Sequence, residues 1–264
     1  MLKITNLYKT FNRGTINEKK ALNGIDLSLE KGDFVTIIGG NGAGKSTLLN
    51  SVCGVFPPDK GSIAIDGTDV TKLSEYKRAK YLGRVFQDPM MGTAADMQID
   101  ENMSLAFRRG KGRGLGWAIT SKERKLYREM LSELGLGLED RLSSKVGLLS
   151  GGQRQALTLL MAVTQNPKLL LLDEHTAALD PTTAAKVLEL SDKFISENNL
   201  TAMMITQNMK DAIAHGNKLI MMHEGRIIYE AEGEEKKNLT VDDLLKKFAA
   251  ISGSEFANDR ALLN

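Results

Sequence analysis

The sequence predicts an α/β protein whose parallel sheet carries a phosphate-binding loop. After Lys168, residues 169–172 form an apolar run that is too short for a buried helix and suits a central parallel strand. Two further apolar runs, Phe34–Ile38 and Thr201–Ile205, indicate buried strands. The first of them ends at the pattern G-x-x-x-x-G-K-S, and residues 47–52 after it indicate a helix. Strand, loop and helix in this order are the context that a phosphate-binding loop requires.

The composition excludes several classes of protein. The chain has 264 residues, 42% of them apolar and 26% charged, which is typical of a soluble globular protein. A net charge of +2 gives no general attraction to nucleic acid. The one cysteine, Cys53, excludes an internal disulfide, indicates a reducing compartment and is expected to be a small buried residue. No apolar stretch approaches the length of a membrane span and no signal peptide is evident, so we expect another chain to hold the protein at any membrane.

The glycine-rich loop is the first candidate site. Its glycines let several backbone N–H groups point into one concavity, and the helix that follows adds its positive end. Lys45 is expected to reach the β- and γ-phosphates, and Ser46 to offer its hydroxyl to Mg²⁺. The loop residues that we assign to nucleotide binding are Gly39, Asn41, Gly42, Ala43, Gly44, Lys45, Ser46 and Thr47.

Outside the glycine-rich loop, the first ninety residues hold weaker signals. Residues 2–4 and 25–29 alternate as half-buried strands do, residues 62–65 precede an Asp66-Gly67 turn, and residues 84–86 indicate a strand. Phe11 is either an edge-of-core residue or a ring that stacks on a base, with Tyr8 as the competing candidate. Gln87 follows a strand, where ligands bind in α/β proteins.

Helical spacing replaces extended runs from about residue 88 to 165, as in residues 122–134. A basic, glycine-rich stretch at 108–114 has three interpretations: a solvated loop, a contact with a partner's loops, or a contact with anionic lipid. RNA binding is disfavoured because no aromatic residues lie between the charges. Ser150 then caps a new helix, where Gly151 and Gly152 leave N–H groups uncovered as a second anion site.

Acids and amides follow the last two core strands. Asp173 and Glu174 end the apolar run, and with the phosphate-binding loop upstream they are the expected Mg²⁺ partner and the polariser of the attacking water. Asp180 is expected to cap the next helix, with Pro181 at its first position. Gln207 lies just beyond the strand at 201–205. Residues 218–229 indicate a hairpin, and residues 240–243 resemble a capping box.

Together these motifs resemble the nucleotide-binding subunit of ATP-binding-cassette (ABC) transporters over nearly the whole chain. Residues 39–47 resemble the Walker A loop and residues 169–174 resemble Walker B with its catalytic glutamate. Gln87 resembles the Q-loop glutamine, Asp180 belongs to a D-loop, and Phe11 matches the aromatic residue that stacks on adenine. The most specific motif is LSGGQ, whose signature residues include Ser150, Gly151, Gly152 and Gln153.

The resemblance implies a fold and an assembly. It implies a single cassette over residues 1–264, with a parallel core sheet, an N-terminal antiparallel β subdomain, an inserted helical subdomain at about 88–165 and a C-terminal helical tail at about 240–264. Two copies would pair head to tail, with the signature of one copy acting on ATP and Mg²⁺ held by the other. Ser46, Gln87 and Asp173 would hold the metal ion.

The resemblance also implies partners and a location. These are transmembrane permease subunits and, indirectly, a substrate-binding lipoprotein, at the cytoplasmic face of a bacterial plasma membrane, with no nucleic acid. A finer similarity, in residues 86–93 and 173–180, is to a bacterial importer subgroup, some members of which take up tryptophan or other aromatic amino acids. The alternatives are an ATP-gated dimeric scaffold and a soluble ABC ATPase that does not transport and hydrolyses ATP slowly.

Two positions depart from the family pattern. His175 stands where proline is usual, and we expect a tolerated surface substitution. The switch histidine is replaced by Gln207, which donates a neutral hydrogen bond but not a charge-assisted one. The resemblance gives Glu174 and Gln207 the catalytic positions, and the replacement implies slow hydrolysis.

Overall fold

The computed structural model describes residues 1–110 and 119–252, and within them two sheets and a set of helices. The strands are β1 (Leu2–Phe11), β2 (Lys19–Leu29), β3 (Phe34–Ile38), β4 (Lys60–Ile65), β5 (Thr68–Asp69), β6 (Leu82–Val85), β7 (Leu169–Asp173), β8 (Thr201–Ile205), β9 (Lys218–His223) and β10 (Arg226–Glu232). The helices are α1 (Lys45–Cys53), α2 (Glu75–Arg78), α3 (Ile99–Phe107), α4 (Ser121–Ser132), α5 (Gly151–Val163), α6 (Pro181–Glu197), α7 (Met209–Ala214), α8 (Gly233–Lys237) and α9 (Val241–Ser252). A short 3-10 helix covers Val146–Leu148.

The larger sheet has six strands in the order β10-β9-β3-β8-β7-β6. Five of them run parallel, and β10 pairs antiparallel with β9 at one edge. The chain therefore has the α/β class and the parallel core sheet that the sequence predicts. The apolar runs that indicated this sheet are its central strands, where no face is left to solvent.

The smaller sheet is antiparallel, with the order β2-β1-β4-β5, which confirms the predicted antiparallel β unit. Its first two strands are much longer than the alternating segments at 2–4 and 25–29. The reason is irregular pairing: the register of β1 against β2 shifts at three places, and Asn6 adopts a φ of 48°. Each shift changes which face a side chain occupies, so simple alternation is lost although the strand continues.

Two apolar cores lie on opposite faces of the six-stranded sheet. Leu169 and Leu171 of β7 pack in a cluster with the antiparallel sheet and α1. Leu170 and Leu172 pack in the other cluster, with α5, α6 and the helices between β6 and β7. The period of two in a strand sends successive leucines into different cores.

The strand predicted at 84–86 begins and ends earlier, as β6. Its ladder with β7 runs from Leu82 to Val85. The carbonyl of Phe86 instead accepts a hydrogen bond of 2.8 Å from the side-chain Nε2 of Gln155 in α5. A side chain thus replaces the ladder partner and turns the chain away from the sheet.

Helices follow β6, as the sequence predicts, and include α3, α4 and α5. Of the basic stretch at 108–114, Arg108 pairs with Glu123 at 2.9 Å and Arg109 donates to the carbonyl of Ala162 at 3.3 Å, while residues 111–114 lie outside the described residues. Of the predicted C-terminal tail, α9 is described, with Thr240 and Asp243 forming its capping box, and residues 253–264 lie outside. In the described ranges we find no helix that is both long and apolar enough to span a membrane.

His175 is not a surface residue, so the expected tolerated surface substitution is wrong. Its side chain is only 1% exposed and lies between β7 and α6. The ring Nε2 is 3.0 Å from Oγ of Ser191, whose hydroxyl donates to the carbonyl of Val187 at 2.8 Å. Because that hydroxyl has one proton, it must accept from His175, which fixes the Nε2–H tautomer. Burial lowers the pKa of His175 from 6.5 to about 4.

The depressed pKa of His175 predicts a loss of stability in mild acid. Between pH 6.5 and about 4 the unfolded chain binds a proton at this residue while the folded chain does not, so the free energy of unfolding falls as the pH falls. We expect the contribution of His175 to fall by roughly 2 kcal/mol between pH 7.5 and pH 5. Urea denaturation of the parent and a His175→Gln variant at both pH values measures it. Equal losses in the two proteins would contradict the assignment.

Candidate nucleotide-binding site

The carboxyl edge of the parallel sheet gathers three of the segments that the sequence assigns to chemistry. Asp173 of β7 lies opposite Ile205 of β8, and the backbone N–H of Glu174 donates to the carbonyl of Ile205 at 3.0 Å. The glycine-rich loop follows β3 on the other side of β8. Parallel strands that end in register therefore bring three separate segments to one edge, where ligands bind in such sheets.

The loop takes its shape from glycine at the start of α1. Gly44 has a φ of 102°, and a Cβ at this position would lie 2.4 Å from the carbonyl oxygen of Ala21. Only glycine fits such a backbone and such an approach. The loop can then pass close beneath β2 and turn its N–H groups into a pocket of about 250 Å³.

The pocket brings together most of the predicted nucleotide-binding residues. It is lined by Phe11, Lys19, Ala21, Asn41, Gly42, Ala43, Gly44, Lys45, Ser46, Thr47 and Glu174. Phe11 is half-buried, and its ring meets the ring of Phe56 edge to face with centroids 5.1 Å apart. Phe11 therefore packs on a neighbouring ring, as an edge-of-core residue does, and it also lines the pocket. Its stacking on a base stays a prediction. Tyr8 is not in the lining of this pocket as the described residues form it.

Lys45 is held in place by the loop itself. Its side chain is 6% exposed, and its Nζ donates to the carbonyls of Gly39 at 2.7 Å and Gly40 at 3.2 Å. Burial lowers the pKa of Lys45, and the charges of Glu174 and Asp173 oppose that shift. A cation that is partly desolvated and held by neutral carbonyls is available to a phosphate group.

Glu174 carries backbone strain at the site. Its φ is 45°, in the left-handed region that bulky side chains rarely occupy, and its side chain is 9% exposed. The carboxylate Oε2 accepts a hydrogen bond of 2.8 Å from Nε2 of Gln207. The two residues predicted to be catalytic are therefore in direct contact. The side chain of Gln207 is directed to the carboxylate here, whereas the sequence predicts a bond to a γ-phosphate.

Asp173 is paired within the chain. Its Oδ2 lies 3.0 Å from a guanidinium nitrogen of Arg84, and both side chains are at least 85% buried. The guanidinium also stacks on the Phe86 ring at 4.5 Å. Ser46 and Asp173 carry the hydroxyl and carboxylate oxygens that suit Mg²⁺, and the charges of Glu174 and Asp173 act on Lys45, so the donor types fit this ion. Of the two, Ser46 lines the pocket, and Asp173 is not in the lining that the described residues form.

Gln87 is exposed, and within the described residues it does not line the pocket. Its assignment to nucleotide and metal therefore stays a prediction. The same holds for the signature residues, which are likewise outside the pocket as described. Ser150 caps α5 by accepting from the N–H of Gln153, whose Oε1 in turn accepts from the N–H of Ser150 at 3.2 Å. This capping box orders the first turn of α5, and Ser150 is exposed.

The signature packs against the D-loop. Asp180 caps α6 by accepting from the N–H of Thr183 at 3.1 Å. Hydrogen bonding to the side chain of Thr183, and secondly to its N–H, lowers the pKa of the Asp180 carboxyl. A Cβ on Gly152 would lie 1.9 Å from Cγ2 of Thr183, so the start of α5 meets the start of α6 at a distance that only glycine allows. The two motifs form one continuous surface.

Three residues of the site are not identified by the sequence pattern. Lys19 lines the pocket, Arg84 pairs with Asp173, and Gln155 donates to the carbonyls of both Phe86 and His175, at 2.8 and 2.7 Å. Lys19 shares a face of the antiparallel sheet with Phe11, a signal that becomes visible once the register of β1 and β2 is known. Arg84 lies one residue before the end of β6, and that position alone gives no partner.

Comparison with known proteins places this site in a family. Residues 22–177 match the family described as "ABC transporter". The chain is 45% identical over 248 residues to a tyrosine transport ATP-binding protein of Clostridioides difficile, with 94% of this chain and 98% of that protein covered. It is 33% identical over 228 residues to the energy-coupling factor transporter ATP-binding protein EcfA2 of Acetivibrio thermocellus, covering 86% and 78%.

Solved structures similar to this chain are also ATP-binding cassettes. The ATP-binding cassette MJ0796, solved as a dimer in a post-hydrolysis state bound to ADP and Pi, superposes with a TM-score of 0.75 at 30% identity, covering 88% of this chain and 98% of that one. The ADP form of the cassette MJ1267 gives a TM-score of 0.77 at 27% identity, covering 95% and 98%.

The contacts of Lys45 predict the effect of removing it. Lys45→Ala should weaken ATP binding at least about tenfold, because a charge-assisted hydrogen bond to phosphate is lost. Calorimetric titration with ATP and Mg²⁺ measures the dissociation constant. The exposed Lys31→Ala serves as the control, and both variants should unfold at the parent's temperature. Parent-like affinity in Lys45→Ala would remove this loop from the assigned site.

Proposed function

The chain belongs to the ABC transporter family as an ATP-binding subunit, and from that premise we propose that it hydrolyses ATP to drive import of an aromatic amino acid. The observation that carries the substrate class is the 45% identity, over nearly the whole length of both chains, to a protein named for tyrosine transport. Other relatives are named for energy-coupling factor transport and for phosphonate import, at 33% and 31% identity.

The geometry at the carboxyl edge of the sheet supports hydrolysis as the chemistry. Lys45 and the loop N–H groups bind the phosphates, and Phe11 stacks on the base. Glu174 orients and polarises the attacking water from the wall of the same pocket. Ser46 and Asp173 would hold Mg²⁺, which would supply positive charge to the phosphates.

A second copy of the chain completes the site in this proposal. The exposed Ser150 and Gly151 lie outside the pocket, so they are free to meet nucleotide held by a partner. The dimeric state of the relative MJ0796 supports this arrangement. Asp180 lies on the same surface as the signature and would follow it into the interface.

Permease contact is assigned to the surface beside Gln87. Met90 and Met91 follow Gln87 in the sequence and are 60% and 52% exposed. Methionine side chains adapt to irregular apolar surfaces, which suits docking of a membrane subunit. A substrate-binding lipoprotein would act on the far side of that subunit, and the cytoplasmic location follows from the same assembly.

Transport is tested by isolating the complex. The tagged chain should co-purify with a permease from membranes of its native host, and the reconstituted complex should release phosphate faster when its lipoprotein is loaded with tyrosine or tryptophan than with leucine. Glu174→Gln is the control that must stop release. Co-purification without a response to aromatic amino acids would overturn the substrate, and absence of any permease would favour the scaffold or non-transport alternatives.

The contact between Gln207 and Glu174 favours slow turnover. A neutral amide stands where a charge-assisted donor would stabilise the developing charge on the γ-phosphoryl group, and this amide also occupies the carboxylate that must reach water. Binding does not depend on this donor because the loop and the signature are intact. This is the one observation that supports the alternative of an ATP-gated scaffold.

Gln207→His should therefore raise kcat by roughly tenfold to a thousandfold, with little change in ATP affinity. Steady-state phosphate release with the permease present measures the rates, and nucleotide titration measures affinity. A Gln207→His variant that also carries Glu174→Gln should be inactive, which ties the gain to this site. Equal rates in the parent and Gln207→His would mean that residue 207 does not limit hydrolysis.

A further inference from the structure

Lys19 of β2 lies directly opposite Phe11 of β1 in the antiparallel sheet. Residues opposite each other in such a pair project from the same face, with Cβ atoms about 5 Å apart. Both side chains line the pocket, and so does Ala21, two residues further along β2. The period of two thus turns one face of β2 toward the nucleotide site.

The amine of Lys19 reaches the phosphate-binding loop. A Cβ built on Gly42 would lie 3.1 Å from Nζ of Lys19, so the ammonium group rests against the backbone at the middle of the loop. Phe11, opposite Lys19 in the β1–β2 pair, lines the same pocket as the loop. The charge of Lys19 is therefore attached beside the ring that we assign to the base and reaches the loop that we assign to phosphate.

The ammonium group is available to a ligand. In the parts of the chain that the structure describes, Lys19 makes no ion pair and no side-chain hydrogen bond, and it is exposed. The carboxylate on the same pocket wall, Glu174, is engaged by Gln207. A lysine without a carboxylate partner, beside a phosphate-binding loop, has a dianion or polyanion as its natural ligand.

We propose that Lys19 is a nucleotide-binding residue that contacts the phosphate nearest the adenosine. This rests on the proposed binding of ATP in this pocket. Lys45 serves the β- and γ-phosphates from within the loop, so the two lysines act on opposite ends of the triphosphate. Lys19 thus contributes to the affinity that ADP and ATP share, and it does not distinguish one from the other.

The experiment compares Lys19→Gln with Lys20→Gln. Lys20 is the next residue of β2, is also exposed, pairs with Thr10 and is not in the lining of the pocket as described. Dissociation constants for ADP, a non-hydrolysable ATP analogue and adenosine are measured at 50 and 300 mM salt. In Lys19→Gln we expect affinity for ADP and for the analogue to fall by the same factor, about threefold to tenfold, with weaker salt dependence. Adenosine binding should be unchanged, and Lys19→Arg should restore affinity to within about twofold.

Several results would overturn the assignment. One is parent-like affinity in Lys19→Gln, another is an equal loss in Lys20→Gln, and a third is a loss confined to the ATP analogue, which would place the amine at the γ-phosphate. Lys45→Ala separates this inference from the proposed function. If that variant loses affinity while Lys19→Gln does not, the ATP site stands and the role of Lys19 falls. If neither variant loses affinity, the site itself is misassigned.

Discussion

The site depends on the common end of three parallel strands. Hydrogen bonds between β3, β8 and β7 fix their register, so the glycine-rich loop, Gln207 and Glu174 emerge at the same edge although they are far apart in sequence. The hydrogen bond from the N–H of Glu174 to the carbonyl of Ile205 extends that register one residue past the sheet. It also holds Glu174 in the left-handed backbone conformation that directs its side chain to the pocket.

Both acids of the site accept hydrogen bonds from side chains of the chain itself. Arg84 pairs with Asp173, and Gln207 donates to Glu174, while Lys45 donates to carbonyls of its own loop. Buried carboxylates without partners would be costly, so these contacts stabilise the site before nucleotide arrives. Each contact uses one oxygen of its carboxylate, so the other oxygen of each acid keeps its acceptor positions.

The sequence is sufficient to predict the central strands and the loop, because buried parallel strands and glycine-rich loops have local patterns. It fails where the deciding contact is distant. The lengths of β1 and β2 are hidden by register shifts, and the early end of β6 is set by a side chain in α5. The burial of His175 depends on Ser191, a residue of α6. The sequence pattern does not identify Lys19 for the same reason, since its neighbour Phe11 is close only after the sheet has formed.

The close approach of Gly152 to Thr183 bears on how variants of the signature are interpreted. Any side chain at 152 collides with a methyl group of the same chain, whatever happens at the surface that a partner would meet. Loss of activity in a Gly152 variant therefore has two causes that a rate alone does not separate. A companion Thr183→Ser change removes that methyl group, so recovery of activity would report the internal collision, and persistent loss would report the missing contact outside.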